Sequence, residues 1–126
     1  MLVPQFINIR SEYDIVNARM QVRETARSIG MDLRDQACLS LATSSLLEGL
    51  GLGFNSGAGS ITIQCLSEGQ NKGLSVICTF HDSSEQKPVQ MATGNVGWMV
   101  DTIVIRNLAN DQVEITMTKW DMKRQQ

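Results

Sequence analysis

Apolar positions recur along the chain with two different periods. Ile15, Ala18, Val22, Ala26 and Ile29 follow one another at steps of three and four. That spacing places them on one side of a helix over 12–29, about 27 Å long at the helical rise per residue. Arg19, Arg23, Glu24 and Arg27 lie off the stripe. "SEYD" supplies a start, with Ser11 as N-cap and Asp14 three residues on. Gly30 supplies a stop. Leu33, Ala37, Leu41 and Ser45 repeat at steps of four, with Cys38, Ala42 and Leu46 beside them. They predict a second helix over 33–48, capped by Asp32, more apolar than the first and more deeply buried.

The other period is that of strands. "FINIRS" alternates through Phe6, Ile7 and Ile9, and Pro4 before it suits a strand start or a sheet edge. Residues 60–67 and 73–80 are rich in β-branched side chains, and "EGQNKG" between them predicts an antiparallel hairpin. "HDSSEQKPVQ" reads as loop. In "MATGNVGWMV" two glycines weaken the helical pattern and predict a short or irregular helix. Residues 101–107 and 112–120 are two more strands joined by "LAND", and "DMKRQQ" is a polar tail. The order β-α-α-β-β-(short α)-β-β predicts an α+β, two-layer sandwich. A mostly antiparallel sheet would carry the helices on one face. Residues 1–126 read as one domain, with no repeat or linker.

Composition narrows the classes. Of 126 residues, 42% are hydrophobic and 19% charged, with a net charge of −2. That is a globular composition, with no general attraction to nucleic acid or to an anionic membrane. No apolar run approaches the roughly 20 residues that span a bilayer. The N-terminus lacks the basic start of a signal peptide, so the cytoplasm is the expected location. Cys38, Cys65 and Cys78 are odd in number, far apart and set in apolar stretches. They read as small core residues in a reducing compartment.

The stretch "EGLGLGFNSGAGS" (48–60) holds five of the ten glycines. A phosphate-binding Walker loop needs a lysine, and none occurs between Met1 and Gln70. A dinucleotide loop opens a helix, whereas these glycines close one and present its negative pole. The stretch therefore reads as a helix cap. His81, the single histidine, could pair with Asp82 or Cys78, but a general base needs a nucleophile within reach. Ser83 and Ser84 have nothing further to support a triad. Cys78 and His81 make two ligands where zinc takes three or four. Trp98 and Trp120 lack the basic interleaving of a base-stacking surface, and Trp120 is expected to pack at a strand end. Lys119, Lys123 and Arg124 read as a solvated tail.

Four phrases together resemble a known family. They are "IRSEYDIVNARMQVRETARSIGM", "DQACLSLATSSLLEGL", "KGLSVICTF" and "VEITMTKW". The resemblance, over nearly the whole chain, is to the anti-sigma-factor and switch-protein serine kinases of the GHKL (histidine-kinase-like) ATPase fold. The stressosome switch kinases look most similar. It implies a Bergerat-type nucleotide pocket between helices and sheet. In the family, Glu-Leu-x-x-Asn on the second helix provides the base and the magnesium ligand. The matching stretch here is "SLLEG", which puts Ser45 and Gly49 in those places, and neither side chain can fill the role. Phe80 stands for the aspartate that reads adenine. Asp82 and Ser84 stand for the glycines that follow it, Asp82 falling two residues late. The glycine-rich lid is reduced to Gly94 and Gly97. The resemblance further implies that Ser45 and Gly49 face the sheet near Phe80.

All three nucleotide-binding blocks depart from the family pattern. That implies a catalytically inactive relative, with no cofactor, acting by protein binding in a partner-switching pathway. Its partners would be a STAS-domain antagonist, a PP2C-type phosphatase or a sigma factor. A homodimer is a further alternative. Val96, Trp98, Met99 and Val100, freed from a lid role, would form an apolar contact patch, or else pack on the sheet. The alternative function is an active serine kinase using ATP and magnesium. Asp82 would then read adenine, and Glu48 would serve as base or metal ligand. A third reading is an unrelated α+β domain that oligomerises or binds a small ligand.

Overall fold

Ser11 and Asp14 begin the first helix as a reciprocal pair. The Asp14 N–H donates to Ser11 Oγ (3.3 Å), and the Ser11 N–H donates to Asp14 Oδ2 (3.1 Å). From there α1 runs over Glu12–Ser28 and α2 over Leu33–Gly49, the latter capped by Asp32. The computed structural model describes residues 3–53, 58–81 and 87–121. Its strands are β1 (Gln5–Ile9), β2 (Gly59–Glu68), β3 (Asn71–His81), β4 (Thr102–Asn107) and β5 (Gln112–Asp121). A third helix, α3, spans Lys87–Val96 and passes into one 3₁₀ turn, Gly97–Met99.

The strands form one sheet in the order β1-β2-β3-β5-β4, and every pairing in it is antiparallel. Alternation along each strand divides the side chains between two faces. Ile9, Ile61, Ile63, Leu74, Val76, Cys78, Ile115 and Met117 fall on one face and are buried. Against them pack Ile15, Ala18, Val22 and Ala26 of α1 and Leu39, Ala42, Leu46 and Leu47 of α2. The other face carries a cross-strand row of Phe6, Thr62, Ile77, Thr116 and Val104, and Phe6 and Val104 are exposed. The α+β two-layer architecture read from the element order is the architecture observed.

Three local readings change. Residues 87–90, expected in a loop, form the first turn of α3. Proline is tolerated at Pro88 because a first-turn N–H has no partner within the helix. Val89, Ala92 and Val96 then recur at helical spacing and are buried, which holds the helix despite Gly94. His81 ends β3 and Asp121 ends β5, where a loop and a tail were expected. Cys38 and Cys65 are only half-buried, whereas Cys78 is fully enclosed. Burial pushes the Cys78 thiol up to about 12. No helix among the described residues is long and apolar enough to cross a membrane.

Candidate functional site

The glycine stretch closes α2 as a Schellman cap. The Leu52 N–H donates to the Leu47 carbonyl (3.1 Å), and the Gly51 N–H donates to the Glu48 carbonyl (3.0 Å). Gly51 has φ +75°, in the left-handed region. Leu52 follows it into the core. The glycines at this helix end serve the turn.

Gly49 does not face the sheet beside Phe80, as the resemblance implied. It faces α3. A Cβ built there would lie 3.0 Å from the Cβ of Ala92 and 3.4 Å from its Cα. The backbones of α2 and α3 thus come together at the position that the resemblance gives to a magnesium-binding side chain. Ser45 is half-buried one turn earlier, between the buried Ser44 and Leu46. Glu48, the nearest carboxylate, is exposed.

Phe80 is 6% exposed and belongs to the core face of β3. A Cβ on Gly59, its cross-strand partner, would meet Phe80 Cβ and Leu52 Cδ1, each at 3.1 Å. An apolar ring thus stands where the resemblance puts an adenine-reading carboxylate. Phe80 also borders a hollow of about 310 Å³ with Phe6, Asn8, Thr79 and His81, which Ser45, Gly49, Gly94 and Gly97 do not line. A Cβ built on Gly94 would meet open space, and one built on Gly97 would lie 4.0 Å from Ile103 Cδ1. Asp82 and Ser84 lie outside the described residues, as do Ser83, Lys123 and Arg124.

The four residues of the expected contact patch separate. Val96, Met99 and Val100 are buried in the core, and Trp98 is 76% exposed. Trp98 and Met99 form one wall of a cleft of about 400 Å³ that the sequence did not reveal. Asp32, Arg34, Asp35, Cys38 and Lys119 form the rest. Lys119, expected in a solvated tail, points to the helix side of β5. Its Nζ lies 3.6 Å from Asp35 Oδ1 and 3.9 Å from Asp101 Oδ1. Asp101 in turn accepts the Trp120 N–H at 2.7 Å. Desolvation raises the Asp35 carboxyl above its ordinary 3.8, and Asp32 and Asp121 push the same way against the lowering effect of Lys119. Trp120 packs over Gly73 at the end of β5, as expected. Among the described residues no three His, Cys, Asp or Glu side chains converge as metal ligands.

No family model matches the chain, and no curated protein matches it. Among solved structures, the chain is similar to one from the crystal structure of the SiaB-SiaC complex from Pseudomonas aeruginosa. The match has a TM-score of 0.56 at 6% identity and covers 92% of this chain and 89% of that one. At that identity the likeness is one of fold, and it extends over nearly the whole of both chains.

Proposed function

We propose that the protein is a regulatory module of a bacterial partner-switching pathway. It is a relative of the GHKL serine kinases that has given up catalysis and acts by binding other proteins. The observation that carries this reading is the contact between Gly49 and Ala92. A side chain at residue 49 would start in tight contact with α3, its Cβ 3.0 Å from that of Ala92. The apolar, core-packed Phe80 supports the same reading, since it offers adenine no acceptor. The fold likeness to a chain from a two-protein complex supports a role in protein binding. So does the exposed Trp98 at the rim of a cleft bearing both charges, because tryptophan is enriched at binding hot spots. The partner would be a STAS-domain antagonist, a PP2C-type phosphatase or a sigma factor.

The test is calorimetry with millimolar ATP, with and without magnesium. No heat of binding and no thermal stabilisation are expected. Saturable micromolar binding that strengthens with magnesium would overturn the reading in favour of an active kinase.

A further inference from the structure

β1 stops short of the strand it pairs with. Its outermost pair is Gln5 with Ile63, whereas β2 continues to Glu68 and stays paired with β3 throughout. Over Gln64–Glu68, therefore, β3 lies along one edge of β2 and no described strand lies along the other. No described residue pairs with this edge, although Pro4 borders the hollow beside it. Pro4 has no N–H to add to the ladder. Val3, which continued pairing would set opposite Cys65, is instead 81% exposed.

A hollow of about 680 Å³ follows this bare edge. Gln64, Cys65, Leu66 and Ser67 all border it. Successive strand residues point to opposite faces, so four in a row can border one hollow only along the edge of their strand. Ser28 and Ile29, at the end of α1, overhang it on the helix side. Lys72 borders it too. It is the cross-strand partner of Ser67, shares the helix face with Cys65 and Ser67, and is exposed.

We propose that the Gln64–Glu68 edge binds an extended segment of a partner protein as an added strand. The segment carries an acidic residue followed, two residues later, by an apolar one. An added strand running in line with β1 is antiparallel to β2. Its residue opposite Cys65 faces the helix layer under Ile29, where an apolar side chain is favoured. The residue two positions earlier lies opposite Ser67, on the face of the Lys72 ammonium, where a carboxylate is favoured. Main-chain bonds would supply affinity, and this pair of side chains would set the register. The inference is independent of the catalytic state, since the edge lies across the sheet from the α2–α3 contact.

The test is fluorescence polarisation with a labelled, end-blocked peptide, Ser-Thr-Glu-Val-Ile-Thr-Ser. Saturable binding is expected, weakened at least tenfold when the peptide's Glu is replaced by Lys. In Lys72→Glu, with its fold checked by circular dichroism, the preference should reverse; in Lys72→Met it should vanish. Amide NMR shifts should centre on Gln64–Glu68. Absence of saturable binding, indifference to both Lys72 variants, or shifts centred elsewhere would each overturn the proposal. So would a peptide-free dimer, seen by sedimentation, in which these same amides are already protected, because a second copy would then be the occupant.

Discussion

Gly49 joins two helices because it lacks a side chain. Gly49→Asn, which places a side-chain oxygen there and sets its Cβ 3.0 Å from that of Ala92, is expected to destabilise the protein by about 1 kcal/mol. Urea unfolding would measure the loss, and ATP binding should not appear in the variant. Trp98 stands in the opposite situation. It is exposed and caps nothing, so Trp98→Ala should leave stability within about 0.5 kcal/mol. Capture of a STAS-domain, PP2C-type or sigma-factor partner, read by pull-down, should fall sharply. Asp35 shows how charge and burial compete in the same cleft. Its folded-state carboxyl titrates above 3.8, so the folded state binds more protons than the unfolded chain just above that pH. Its contribution to stability therefore declines as pH rises through that window. Lys119→Met removes the opposing cation, and the Asp35 midpoint, followed by carboxyl-carbon NMR, is expected to move further upward.

Where a single periodicity governed an element, the sequence disclosed it. The stripe from Ile15 to Ile29, the stop at Gly30 and the glycine stretch after Glu48 placed α1 and α2 within a residue of their observed ends. Both caps rest on a left-handed glycine followed by a buried side chain, Met31 in one and Leu52 in the other. Gly51→Ala meets open space yet must hold φ +75°, so it should cost about 1–2 kcal/mol in thermal unfolding. α3 was only half legible because Pro88 and a polar run masked its first turn, and Gly94 interrupted its apolar spacing. The cleft was not legible at all. Asp35, Trp98 and Lys119 belong to different elements, and no local pattern links a helix start, a 3₁₀ turn and a strand end. The contact between Gly49 and Ala92 was hidden for the same reason. "SLLEG" puts a glycine where the resemblance implies a metal ligand, but only the packing of α3 shows what lies beside it.

At the scale of the molecule, one sheet carries every helix on one face and leaves a row of threonines and apolar side chains on the other. A solved structure shares this fold at 6% identity, with a TM-score of 0.56. The sheet is not, however, continuous in sequence. β2 and β3 meet through a tight turn, as do β4 and β5, whereas both long helices separate β1 from its partner β2. Pairing Gln5 with Ile63 requires closure of the longest loop in the sheet, an entropic cost that local hairpins escape. β1 is consequently expected to join the sheet centre late during folding and to leave it early. Native-state hydrogen exchange should find Phe6 and Ile7 opening at lower free energy than Val76 and Cys78 in the sheet centre. Equal protection across the two strands would show instead that the sheet assembles in a single step.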